Sequence, residues 1–180
     1  VNIKPDARIV LSPVTANNEI GTPHTITATV TQNDQLDAGA PGDGTTGFGP
    51  APDGTLVTFS LLNNTAGATF VAGNTCTTSG GTGMCSVQIT SSTVGGVDVR
   101  ATTTFGVLGV NLTRTTNDGV SGDGVDSHKN YVSGTITITP SAVNEVNHQH
   151  TFTIVVTQAP GAATPATSAN ITITPSPAPG

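Results

Sequence analysis

Two cysteines, Cys76 and Cys85, make the most specific chemical prediction in this 180-residue chain. They lie nine positions apart and enclose the glycine-rich stretch 79–83, which is typical of a tight reversal between two strands. Facing residues on paired strands have Cβ atoms about 4.5–5.5 Å apart, close to the spacing that a disulfide needs. Because the sequence has no third cysteine and its histidines are distant, a disulfide is favoured over zinc binding or two free thiols. A disulfide would indicate an oxidising compartment.

Aspartates make the second chemical prediction. Asp118, Asp123 and Asp126 lie among glycines in the segment 117–126. A calcium ion takes about six to eight oxygen ligands, which flexible loops of Asp and Gly can supply, so these three carboxylates are a candidate calcium site. The spacing lacks the terminal Glu of an EF-hand loop, and a solvated linker is the alternative interpretation. The segment 33–53 has a similar composition, with Asp34, Asp37, Asp43 and Asp53.

The sequence contains no arrangement of residues typical of an enzyme. Gly-x-Ser-x-Gly, His-Glu-x-x-His and the P-loop pattern are absent. The segment 42–47 matches Gly-x-Gly-x-x-Gly, but Pro50 and Pro52 follow it and prevent the helix that a dinucleotide site requires. The two glutamates, Glu19 and Glu145, are separated by a whole repeat and would not face one substrate. We therefore expect a protein without catalytic residues and without a cofactor other than the candidate calcium.

The chain contains a tandem repeat with an offset of 126 residues. Nine of seventeen positions are identical between 16–32 and 142–158, and the second copy stops before its later strands. The identical positions include two pairs of an acid and a histidine, Glu19 with His24 and Glu145 with His150. Because each pair recurs at the entry to a predicted strand, we expect it to have a structural role.

The strongly patterned segments alternate with a period of two residues. Apolar residues alternate with polar ones in 25–31, 57–61, 85–90 and 97–102, and β-branched residues are frequent there. Charged residues make up 9% of the chain and aromatic residues 3%, so the core must be thin and built from Val, Ile and Leu. The pattern predicts an all-β sandwich without helices.

Three segments together resemble bacterial immunoglobulin-like repeats of the invasin and intimin type. The segment 53–61 contains a Gly-x-x-Val-Thr-Phe pattern, a threonine-rich reversal follows at 75–90, and 93–101 contains Gly-x-x-x-Val-x-Ala. The resemblance covers about 7–113 well and 134–174 in part. It implies an immunoglobulin-like β-sandwich in tandem modules that form stalks of adhesins or other surface structures, with no catalytic residues. The chain departs from the family pattern in its long 33–53 insertion and its paired cysteines.

The repeat and the resemblance divide the chain into three parts. We expect an immunoglobulin-like domain over 1–116, an Asp/Gly-rich linker over 117–133 and a partial second domain over 134–180. Residues 134–174 supply counterparts of the first three strands only, the last being 168–174. We expect the chain to be a piece of a longer array, and the alternative is a second module completed by strands of another molecule. The start without Met is typical of a mature or excised segment.

Charge and composition restrict the function further. The net charge of −6 and the five scattered basic residues exclude nucleic acid as a partner, and the apolar stretches are too short for a membrane span. We expect a non-catalytic structural module of a bacterial cell-surface or secreted fibre, stalk or adhesin, with neighbouring modules and other copies of itself as partners. The alternatives are an accessory domain of a secreted hydrolase and a carbohydrate- or receptor-binding module that uses 33–53. Sugar platforms usually need exposed Trp or Tyr, and Tyr131 is the single residue of either type.

Overall fold

The computed structural model describes residues 3–159 and 171–173, and these residues form strands and loops without a helix. One sheet contains β1 (Asp6–Ser12), β3 (His24–Asn33), β4 (Gly49–Pro50), β6 (Thr69–Phe70) and β8 (Met84–Thr90). The other contains β2 (Thr15–Glu19), β5 (Leu56–Leu62), β7 (Thr75–Thr77), β9 (Gly95–Val107), β10 (Val110–Thr115) and β11 (Ser127–Thr139). The last strand, β12 (Thr153–Ala159), pairs with the second half of β11. The predicted all-β class with two sheets is confirmed.

The strand order brings distant parts of the chain together. The first sheet has the order β1-β3-β8-β6, and the second has β11-β9-β5-β7 with β10 also on β9 and β2 on β11. Neighbouring strands are antiparallel except β2 and β11, which run parallel with Asn18 opposite Tyr131. Parallel strands need a long connection, and here almost the whole first repeat lies between them.

The core follows from the alternation of side chains along the strands. In β3, Ile26, Ala28 and Val30 face inward and are buried, while the threonines between them lie on the outer face. Val and Ile supply eight of the sixteen buried core residues, as predicted, whereas Leu supplies one and Ala, which was not predicted, supplies five. The largest buried side chains include Tyr131, Phe59 and, less expectedly, Lys129.

The chain divides into two compact units, Val1–Val132 and Ser133–Gly180. The first unit contains both sheets and the core described above. In the second, the end of β11 pairs with β12 as an antiparallel hairpin, with Ile138 opposite Ile154. The predicted third strand at 168–174 lies outside the described residues except for 171–173.

The segment 117–133, predicted as a linker between domains, belongs to the first unit up to residue 132. Its loop packs on β1, where the Gly124 amide donates to the Ile9 carbonyl over 2.8 Å. Its second half is the first part of β11, which pairs with β9 and with β2. The boundary predicted at 116 therefore differs from the structure, which has it at 132. Alternation of apolar and polar residues does not predict this strand, because its inward positions include Ser127 and Lys129, which are not apolar.

The predicted disulfide between Cys76 and Cys85 is confirmed, with an S–S distance of 2.06 Å and a Cα–Cα distance of 5.8 Å. The predicted tight reversal is present, because Ser79 and Met84 form an antiparallel bridge around it, but the two cysteines do not face each other on paired strands. Cys76 lies on β7, which pairs with β5, whereas Cys85 lies on β8, which pairs with β3 in the opposite sheet. The glycines at 80, 81 and 83 have positive φ angles and turn the chain from one sheet to the other. The bond therefore joins the two sheets instead of two paired strands.

Candidate functional site

Each carboxylate of the candidate calcium site has a different protein partner. Asp118 is exposed and accepts from the amide of Val120, two residues further on. Asp126 accepts from the Arg100 guanidinium at 2.8 Å and from the Thr116 hydroxyl at 2.6 Å. These contacts stabilise the loop 117–126 without any ion.

Asp123 is the buried member of this group. One of its oxygens accepts from the amide of Ile9 at 2.8 Å, and the other lies 4.0 Å from Arg114 Nε. Burial raises the pKa of Asp123 above its usual value. No three Asp, Glu, His or Cys side chains form a group that could hold a metal ion within the described residues. The calcium prediction therefore gains no support from this geometry.

The long segment 33–53 is organised around Asp34. The buried carboxylate accepts from the amides of Leu36 at 2.9 Å and Asp43 at 2.7 Å. Gly42 lies so close that a Cβ there would be 2.0 Å from an Asp34 oxygen. At the far end, Pro50 pairs with β3. The segment is thus a loop fixed to the first sheet at both ends.

The repeated Glu and His residues occupy different places in the two units. Glu19 and His24 lie at strand ends, whereas Glu145 and His150 lie in the loop that precedes β12. Glu19 ends β2 and is exposed, and Glu145 is exposed beside His148 at 3.5 Å. His24 opens β3, and its Nε2 is buried without a hydrogen-bond partner among the described residues. Burial lowers the pKa of His24, and the charge of Lys129 lowers it further. His150 Nδ1 lies 3.1 Å from the amide oxygen of Asn144, and its ring packs edge-on against Phe152.

A polar cluster inside the first unit was missed by the sequence analysis. Lys129 of β11 is fully buried and donates from Nζ to the side-chain oxygen of Asn18 on β2. The ring of Tyr131 lies 5.8 Å from Nζ, and the Tyr131 hydroxyl is buried without a partner in the described part of the chain. Burial lowers the pKa of Lys129 to about 8 and raises that of Tyr131 to about 12. The recurrence of Asn18 as Asn144 in the second repeat marked Asn18 as a residue of interest. However, nothing in the sequence pairs Asn18 with Lys129, which lies 111 positions away.

The second unit has an apolar surface. Ile136 and Ile138 are 63% and 53% exposed. Ile9 and Leu11, which align with them in the repeat after a shift of one residue, are 0% and 4% exposed. Isoleucines from three segments of the unit line a groove of about 270 Å³: Ile136, Ile138, Ile154, Ile171 and Ile173. In the first unit the second sheet covers the corresponding residues. No such cover is present among the described residues of the second unit.

Comparison of the chain with protein-family models, curated proteins and solved structures gives no match. The structure also contains, within residues 3–159 and 171–173, no helix long and apolar enough to cross a bilayer.

Proposed function

We propose that the chain is a non-catalytic structural module of a bacterial cell-surface or secreted fibre, stalk or adhesin. Its units are immunoglobulin-like modules in tandem, and they work by stacking and self-association. The observation that carries this proposal is the apolar face of the second unit. Its residues Ile136 and Ile138 are exposed, whereas the corresponding residues of the first unit are buried. An apolar face of this kind marks a protein interaction surface.

Other features support a mechanical role in an oxidising environment. A disulfide joins the two sheets of the first unit and the described cysteines are all paired. The outer faces of the strands carry rows of threonine, some of which bond across strands, such as Thr104 with Thr113 at 2.9 Å. Such a surface has few charges and suits contact with similar modules.

In this proposal, self-association occurs through the surface that contains Ile136 and Ile138. In the repeat alignment these residues correspond to core residues of a sandwich, so a matching sheet from another copy of the chain would bury them. Burial of apolar area is worth roughly 25 cal/mol per Å², which favours association when the partner is another such face.

The test is sedimentation of the full chain over a range of concentrations. We expect the average mass to rise with concentration, and the double change Ile136→Ser with Ile138→Ser to abolish the rise. The matched control is Leu56→Ser with Val110→Ser, which removes two apolar side chains that are 51% and 47% exposed on the first unit. A wild-type chain that stays monomeric, or a control that reduces association equally, would overturn the proposal.

A further inference from the structure

Lys129 occupies a position that is costly for an ordinary lysine. It is fully buried, and no carboxylate lies within ion-pair distance of its Nζ among the described residues. Desolvating an ammonium group without a counter-charge is strongly unfavourable, even after the surroundings relax. Its side-chain partner in the structure is a neutral amide, that of Asn18.

The contact between the two side chains is fixed by the backbone on both sides. β2 and β11 are paired in parallel from His128 opposite Thr15 to Val132 opposite Glu19. Two further backbone hydrogen bonds extend the pair, one from His128 to Val14 at 2.7 Å and one from Ile20 to Val132 at 2.9 Å. The two reacting groups are therefore held together by the first and last strands of the same sheet.

We propose that Lys129 and Asn18 are joined by an isopeptide bond in the folded protein. The neutral Lys129 amine attacks Cγ of Asn18, and a new Nζ–Cγ bond forms. The Cγ–Nδ2 bond of Asn18 then breaks, and a proton from Nζ goes to the departing nitrogen, which leaves as ammonia. A primary amine and a carboxamide thus give a secondary amide and ammonia, so the step needs no oxidant or other reactant.

The surroundings favour this reaction in two ways. A buried amine is a nucleophile at neutral pH because desolvation favours its uncharged form, and burial lowers the pKa of Lys129 to about 8. The amide product carries no charge, so the reaction removes the cost of the buried cation.

The second unit provides an internal comparison. Asn144, the equivalent of Asn18, lies beside His150. The sequence contains one other lysine, Lys4, which is exposed in the first unit. We therefore expect a single isopeptide bond in this chain. The inference does not rest on the proposed function, because a covalent link between β2 and β11 would form in a monomer as well.

The experiment is the intact mass of the full chain after complete unfolding and reduction. We expect the wild-type chain to be lighter than its sequence by the mass of one ammonia. Asn18→Ala and Lys129→Arg should have their full sequence masses, and Asn18→Asp should lose one water instead. The matched controls are Asn17→Ala, on the outer face of the same strand, and Lys4→Arg, and both should retain the ammonia deficit.

A second measurement locates the bond. Trypsin should fail to cut after Lys129 in the reduced wild-type chain, and it should release peptide 9–100 joined to peptide 115–180. A cooperative unfolding transition in urea shows that each sample has folded. A folded wild-type chain at full sequence mass would overturn the inference, and so would an ammonia deficit that persists in Lys129→Arg.

Discussion

His128 and Asp98 form an ion pair on the outer face of the second sheet, with 2.5 Å between Nδ1 and Oδ1. The hydrogen bond with Asp98 raises the pKa of His128 above 6.5. The pKa of Asp98 is held below 3.8, first by the hydrogen bond from Asn63 and then by that from His128. Both side chains are partly exposed, so salt screens the pair and its contribution is small.

The first prediction concerns the pH dependence of this pair. The contribution of His128 is complete below pH 6.5 and is lost as the pH rises through its raised pKa. The contribution of Asp98 is complete above pH 3.8 and is lost as the pH falls through its lowered pKa. His128→Gln should therefore reduce the free energy of unfolding in urea most between pH 4 and 6.5, roughly, and progressively less as the pH rises through the raised pKa of His128.

The control for this measurement is high salt. Added salt should shrink the difference between wild type and His128→Gln at pH 5, because the charges are exposed to solvent. A difference that is independent of pH would show that the variant acts through packing of the ring and not through its charge.

At the residue scale, the limits of sequence interpretation are clearest for Lys129. Its neighbours alternate inward and outward, but a lysine at an inward position breaks the apolar pattern on which strand prediction depends. Its contact with Asn18 also requires the pairing of β2 with β11, which local sequence does not encode. The cysteine pair was predictable because spacing and a glycine-rich turn bring the two residues together locally.

At the scale of the strands, the disulfide restrains the sandwich because it joins β7 of one sheet to β8 of the other. Cys76 and Cys85 are both partly buried and pack against the core. Closing a loop with a sequence separation of 9 restricts the unfolded chain and, in the chain-entropy model, contributes about 2–3 kcal/mol.

The second prediction is that Cys76→Ala with Cys85→Ala lowers the free energy of unfolding by about 2–3 kcal/mol. Urea unfolding of the double variant measures this value, and the wild-type chain treated with a reductant is the control. The two samples should unfold at similar urea concentrations, because both lack the constraint on the unfolded state. A double variant as stable as the oxidised wild type would contradict this account.

Strands and loops differ in how well the sequence predicts them. The periodic strands β3, β5 and the start of β9 were predictable because their alternation reports burial on one face. The loop 33–53 was predictable as an insertion, but not its internal order. That order depends on Asp34, whose hydrogen bonds with the amides of Leu36 and Asp43 have no periodic signature.

At the scale of the whole molecule, the chain consists of two compact units. The first unit buries the apolar faces of both its sheets, with Tyr131 and Phe59 at the centre of the core. The second unit, in its described part, contains a hairpin in which Ile136 and Ile138 are exposed. A two-stranded hairpin is at best marginally stable by itself in water. Stability should therefore reside in the first unit.

The last prediction separates the two domain boundaries by truncation. The chain 1–132 contains the whole first unit and should unfold cooperatively in urea with a well-dispersed NMR spectrum. The chain 1–116 lacks the inward residues Lys129 and Tyr131 and the strand that β2 and β9 pair with. Loss of a buried aromatic side chain alone costs about 3–5 kcal/mol, and a domain has only about 5–15 kcal/mol in total.

We therefore expect 1–116 to be unfolded and 134–180 to show no cooperative transition, while 1–132 keeps most of the stability of the full chain. The full chain measured in the same buffer is the control. If 1–116 unfolded as cooperatively as 1–132, then residues 127–132 would be dispensable and the boundary predicted from the repeat would be right. In that case the pairing of β11 with β2 would not hold the first unit together, because the sandwich would be complete without its last strand.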